Sequence, residues 1–94
     1  MMAQIDLLDV FRALANENRQ EILFRVFSDK EAHSVGEIAD RMGIAQSTAS
    51  EHLTILRKAG ILQSEKVDRQ VLYTVNKQSV NEVLSVLQHW LTCC

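Results

Sequence analysis

The sequence contains no proline and only three glycines, and its aromatic residues are limited to one tryptophan, one tyrosine and three phenylalanines. That composition argues against a disordered chain. With 47% hydrophobic residues, it points to an ordered, mainly helical chain. The only cysteines, Cys93 and Cys94, are adjacent at the very end, so the chain carries no disulfide framework of the kind that staples small secreted folds. No apolar run approaches the roughly 18 residues of a membrane span. The N-terminus, MMAQIDLLDV, lacks the positive flank of a signal peptide. A cytoplasmic protein without a membrane partner is expected. An enzyme is not expected, because there is no phosphate-binding glycine loop, no C-x-x-C and no set of nucleophile, base and orienting residue.

What is present fits one domain spanning residues 1–94. A chain of this size buries only a modest core, so association with a second copy is expected to help. The net charge of −2 is unevenly spread. Residues 1–40 hold four basic and eight acidic side chains. Residues 41–69 hold Arg41, Arg57, Lys58, Lys66 and Arg69 against Glu51, Glu65 and Asp68. The cationic excess therefore falls on one central segment, as a nucleic-acid-binding surface requires.

Along the chain, Gln4 to Leu14 carries apolar residues on more than one side, including Leu7, Leu8 and Phe11, which predicts a helix buried against two surfaces. Asn16 is a good N-cap for a second helix, whose core residues are Ile22, Leu23, Val26 and Phe27. The polar SDKEAH segment reads as a loop. Ser34-Val35-Gly36-Glu37 then spells a capping box, in which the Ser and Glu side chains both satisfy free backbone donors at the start of a third helix. Gly43 supplies the left-handed residue that ends it.

The segment Ile38–Gly60, IADRMGIAQSTASEHLTILRKAG, has the form of a helix-turn-helix, which presents its second helix to the DNA major groove. That second helix is predicted over Gln46–Ala59. Ala49, Leu53 and Leu56 form its inner stripe, while Ser47, Ser50, Glu51, Thr54 and Lys58 share the other side. Short hydroxyls allow close approach to phosphates and base edges, and Gln46 can contact adenine through two hydrogen bonds. The plain alternative is a solvated helix face. Ala45 offers no capping oxygen, and Glu51 places an anion near the phosphates, although it could accept from a cytosine amino group.

After Gly60 the period changes to that of strands. Ile61–Val67 and Gln70–Val75 read as a two-stranded hairpin joined around Asp68-Arg69. A lone hairpin is marginal in water, so this one must lie against the helices. Its basic tip, with Arg69 and nearby Lys66, reads as the wing of a winged helix; the alternative is an ordinary exposed arginine. The last helix, predicted over Ser79–Leu91, spreads Val80, Val83, Leu84, Val86, Leu87, Trp90 and Leu91 over a face wider than one core needs. The first and last helices together are the expected dimer interface, through Leu7, Leu8, Phe11, Val83, Leu87 and Trp90. The expected fold is therefore mainly α (α+β): a winged helix-turn-helix with five helices and a two-stranded β-hairpin wing, forming a homodimer.

Three stretches carry a family resemblance: LANENRQEIL, then VGEIADRMGIAQSTASEHLTILRKAGIL, then a wing ending VLYTV. Along almost its whole length the chain resembles the ArsR/SmtB family of bacterial winged-helix repressors. The resemblance implies a homodimer that binds a double-stranded DNA operator until an effector releases it. By position, Gln46, Ser47, Thr48, Ser50 and His52 match the family's recognition helix, and Arg69 matches its wing. Arg57, Lys58 and Lys66 complete the expected DNA-binding set. Ala45 and Glu51 depart from the commoner residues of that helix. His52 faces partly inward, which suits either packing or a phosphate contact. A winged helix can also serve as a protein-interaction module, but such a module has no need of a hydroxyl-rich face or a basic wing.

No cofactor is required by this reading, and the effector must be sought elsewhere. Many family members bind metal through cysteines at the start of the third helix, where this chain has Ser34-Val35-Gly36-Glu37 and no thiol. Others use Asp and His pairs on the last helix, where this chain offers only His89, with Asn76 and Ser79 near its start. Zinc needs three or four protein ligands, so that site is not expected. Cys93 and Cys94 remain. Some arsenic-responsive members carry such a vicinal pair, and adjacent thiols suit a soft ion. Inorganic trivalent arsenic prefers three thiolates, whereas a methylated arsenical needs only two. His89, one turn from Cys93, is a candidate third donor. The alternatives are a redox or sulfur-species sensor using the same pair, and a frayed terminus without a role.

Overall fold

The computed structural model describes residues 5–93, with elements in the order α1 (Leu7–Leu14), α2 (Glu17–Phe24), a single 3-10 turn (Val26–Asp29), β1 (His33–Ser34), α3 (Val35–Met42), α4 (Gln46–Lys58), β2 (Leu62–Val67), β3 (Gln70–Val75) and α5 (Lys77–Thr92). Each early helix starts on a side-chain cap. The Asp6 carboxylate accepts from the backbone N–H groups of Leu8 and Asp9, and the Asn16 side chain accepts from that of Arg19. Asp6 starts α1 later than the apolar pattern suggested, and the predicted first residue, Gln4, lies outside the described residues. At the other end of the chain, Asn76 caps α5 through Ser79, so this helix starts earlier than predicted.

Two glycines fix the turns around α4. Gly43, at φ 69°, closes α3, with Ile44 donating to the carbonyl of Ala39 at 3.1 Å and Gly43 to that of Asp40 at 3.2 Å. Gly60, at φ 88°, closes α4 in the same way through Ile61 to Leu56 and Gly60 to Arg57. A Cβ on Gly60 would sit only 3.2 Å from Ile5 Cδ1, so close packing and positive φ both favour glycine there.

The sheet has three antiparallel strands in the order β1-β3-β2, where the sequence suggested a two-stranded hairpin. The added strand comes from the end of the expected SDKEAH loop and the residue after it: His33 pairs with Tyr73 and Ser34 with Leu72. The capping box is also half right. Ser34 Oγ accepts from the Glu37 backbone N–H at 3.2 Å, but the Glu37 carboxylate turns to His33 instead, at 2.7 Å. A short charged hydrogen bond to a buried imidazole outweighs a return bond to the Ser34 backbone donor.

The core lies where α1 to α4 meet the base of the sheet. Ile22, Phe27, Ile38, Leu53, Leu56 and Leu62 are fully buried there. Cutting Leu53 or Leu56 to alanine would cost about 2–5 kcal/mol, so the inner stripe of α4 firmly sets the direction of its outer face. By contrast α5 has no buried residue, although Val80 and Val83 rest against the core. No helix of the described residues is long and apolar enough to cross a membrane.

Candidate nucleic-acid interface

The polar face of α4 is built by its apolar one. With Ala49, Leu53 and Leu56 inside, Gln46, Ser47, Ser50 and Glu51 are exposed, and Thr48, His52 and Thr54 lie at the margin. Ala45 caps the helix without a side-chain hydrogen bond, as its lack of an oxygen requires. The first-turn N–H groups of α4 therefore remain open on the side where an anion would approach. Arg57 and Lys58 occupy the last turn, where their charge complements the helix dipole.

The wing is the turn between β2 and β3, where Val67 pairs with Gln70 and Asp68 takes φ 57°. Aspartate tolerates this left-handed conformation better than most residues. Arg69 follows it, and Lys66 sits on β2 opposite Val71. Both are exposed, and so are Arg57 and Lys58.

The side chains of Gln46, Ser47, Thr48, Ser50, Arg57, Lys58, Lys66 and Arg69 make no hydrogen bond or ion pair among the described residues. Two arginines elsewhere sit beside carboxylates. Arg25 pairs with Glu21 at 2.9 Å, and Arg41 approaches Glu37 at 3.6 Å. The face and wing that the sequence assigned to DNA thus keep their donors free among the described residues.

His52 is the exception in that set. Its Nδ1 lies 3.1 Å from Nη1 of Arg19, which also donates through Nε to the Ala13 carbonyl at 2.6 Å and through Nη2 to that of Arg12 at 3.5 Å. Burial first, and then the Arg19 charge, hold the His52 pKa below its ordinary value against the opposing pull of Glu51. Sequence reasoning passed over Arg19, because its side-chain partners lie on two other helices, α1 and α4, and one of them is 33 residues away.

It also passed over His33. This imidazole is buried, edge-on to the Phe27 ring, and held by Glu37 through Nδ1 at 2.7 Å and by Asp29 through Nε2 at 3.0 Å. Carboxylates only accept, so both hydrogen bonds are made together only by the protonated ring, and the site favours the imidazolium. Burial alone would lower its pKa. The hydrogen bonds and charges of Asp29 and Glu37 outweigh it, and the pKa lies above the ordinary value. Asp29 is displaced the other way, first by the Glu31 backbone N–H and then by His33. The four-residue spacing of Asp29, His33 and Glu37 was visible in the sequence, but it spans a turn, a strand and a helix start, not one helix. Together they tie the 3-10 turn to the first helix of the helix-turn-helix.

The predicted dimer residues Leu8, Phe11, Leu87 and Trp90 are exposed, with Leu7 and Val83 half-buried. Phe11, Leu14, Phe24, Val83, Leu84 and Leu87 line one apolar groove between α1, α2 and α5. Cys93 is exposed and caps α5, its N–H donating to the His89 carbonyl at 2.8 Å, whereas Cys94 lies outside the described residues. Among the described residues no three His, Cys, Asp or Glu side chains come together as metal ligands.

Comparison with known proteins agrees with this geometry. A helix-turn-helix domain family matches residues 8–65, from α1 into β2. The transcriptional activator HlyU of Vibrio cholerae is 37% identical over 84 residues, covering 89% of this chain and 75% of its own. Among solved structures, an ArsR-like transcriptional regulator from Rhodococcus sp. RHA1 superposes with TM-score 0.78 at 29% identity, over 88% of this chain and 76% of that one. A homodimeric winged helix-turn-helix DNA-binding domain from Mycobacterium bovis, described as a possible ArsR-family regulator, gives TM-score 0.73 at 26% identity, over 87% and 74% of the two chains. With the wing, the unspent face of α4 and these relatives in agreement, the chain belongs to the ArsR family of winged helix-turn-helix transcriptional regulators.

Proposed function

We propose that this protein is a homodimeric repressor that reads an operator with α4 and clamps the flanking backbone with its wing. The observation that carries this reading is the set of polar and cationic side chains on α4 and the wing that are exposed or marginal and make no bonds among the described residues. Gln46, Ser47, Thr48 and Ser50 would face base edges and nearby phosphates, and Arg57, Lys58, Lys66 and Arg69 would neutralise phosphates. The second copy would cover the exposed apolar residues of α1 and α5, and the homodimeric Mycobacterium bovis relative supports that assembly. Two α4 helices would then lie about 34 Å apart, on successive major grooves of a near-palindromic site.

For release from DNA we propose the adjacent thiols Cys93 and Cys94, with a trivalent arsenical as effector and His89 as a third donor. The exposure of Cys93 at the end of α5, the helix assigned to the dimer, supports this placement. A redox or sulfur species acting on the same pair is the second reading, favoured by the same exposure.

The test is retardation of DNA from the protein's own promoter region, with and without arsenite, a methylated trivalent arsenical, zinc or an oxidant. Binding should weaken steeply with salt and be lost with the methylated arsenical. A Cys93→Ser/Cys94→Ser variant should bind equally well and resist release. Release of that variant by arsenicals would remove the thiols from the mechanism, and absence of promoter binding at low salt would defeat the proposal as a whole. A promoter fusion whose transcription rises with the protein present would make it an activator.

A further inference from the structure

We propose that Arg19 is a positioning residue for DNA recognition: it holds His52 as the neutral Nε2–H tautomer, so that α4 presents a fixed hydrogen-bond donor to a phosphate oxygen. The inference rests on the DNA-binding reading above and extends it to a residue outside the helix-turn-helix. Arginine carries five donors and no acceptor. With Nη1 at 3.1 Å, His52 Nδ1 must therefore accept, which places the ring proton on Nε2. The guanidinium is itself fixed by the Ala13 and Arg12 carbonyls at the end of α1 and stands one turn inside α2, where Asn16 accepts from its own backbone N–H. The donor on α4 is thus aligned by two other helices.

Nε2 has no hydrogen-bond partner among the described residues, and it is not among buried polar atoms left unpaired, so it opens to solvent. His52 stands on the flank of α4, beside the buried Leu53 and Leu56 and away from the outermost crest. A groove-seated helix places such flanks against the sugar-phosphate walls, while its crest meets the bases. The acceptor that fits is a phosphate oxygen. The burial and the Arg19 charge that lower the His52 pKa keep the ring neutral, so this donor acts by direction and not by charge.

Two measurements test the proposal. Long-range proton–nitrogen NMR of the free protein at neutral pH should show His52 as the Nε2–H tautomer, and Arg19→Gln should mix the tautomers. A wild-type His52 protonated on Nδ1 would overturn the proposal whether or not the protein binds DNA. In DNA titrations, His52→Gln, whose amide nitrogen reaches the place of Nε2, should stay within about twofold of wild type. His52→Asn, which lacks that reach, should lose about tenfold, from two copies of a modest hydrogen bond in the dimer. Neither should alter the salt dependence, because a neutral donor displaces no counterion. Arg19→Lys should lose a similar amount, and adding His52→Asn to it should cost little more. Additive losses, or a salt slope reduced by His52→Asn, would overturn the proposal. The His52 pair and the wild-type spectrum decide the matter even if the Arg19 variants fail to fold. If wild type binds no operator while its tautomer is as expected, the DNA-binding reading fails instead, and Arg19 is left with the ring alone.

Discussion

Helices α4 and α5 are both widely exposed, yet they expose opposite chemistry. On α4 three apolar residues are buried, and apart from Ile55 what remains outside is mostly hydroxyl, amide and charge. On α5 no residue is buried, and Leu84, Val86, Leu87, Trp90 and Leu91 all face outward, Trp90 at 73% exposure. A water-facing helix needs no such aromatic, and a helix meeting phosphate has no use for it. The contrast separates two partners: a polyanion for α4, and a second apolar surface for α5. On the proposal that an effector binds at Cys93, it would act on α5 first and on α4 only through it.

The contrast can be tested from either side. The largest effect is expected on α5. Leu87→Glu should leave helix content intact, give monomers in sedimentation, and lower operator affinity by about a hundredfold or more through loss of paired binding. On α4, Gln46→Ala should lower affinity roughly tenfold for the preferred operator while changing it little for a variant at one base pair, which competition titrations would reveal. At the wing, Arg69→Ala should weaken binding about fivefold for every sequence and reduce the salt slope by about one. The smallest effect belongs to His33, which touches neither surface. Its folded-state pKa is raised, so the stability it adds is complete below the ordinary imidazole value of about 6.5 and is lost as pH rises through the raised value. The lowered carboxyl of Asp29 works in the opposite sense, its contribution being lost on acidification. The gap in thermal midpoint between wild type and His33→Gln should therefore be wider near pH 6 than at pH 9.

The features read correctly from the sequence were local. Asn16, Ser34 and Gly43 act within a few residues of their own helix ends, and each takes the cap or turn expected of it. The inner stripe of α4 and the wing register also follow from short-range periodicity. What escaped depends on distant partners. Strand β1 is two residues long and exists because Tyr73 and Leu72 lie beside it. Glu37 leaves its cap because His33 is buried within reach, and nothing in the four letters Ser-Val-Gly-Glu announces that. The set proposed to face DNA was legible as residue types. That its side chains are unspent, while Arg19 takes hold of His52, appears only once the helices are packed.

Hydroxyl-radical footprinting of the operator, with the protein at saturation, tests the central claim most directly. Two α4 helices held by an α1 and α5 dimer should protect two backbone patches centred about 10 base pairs apart, with Leu87→Glu abolishing both together. A single protected patch that survives Leu87→Glu would contradict the account, because one chain would then bind DNA without the partner that its apolar face requires.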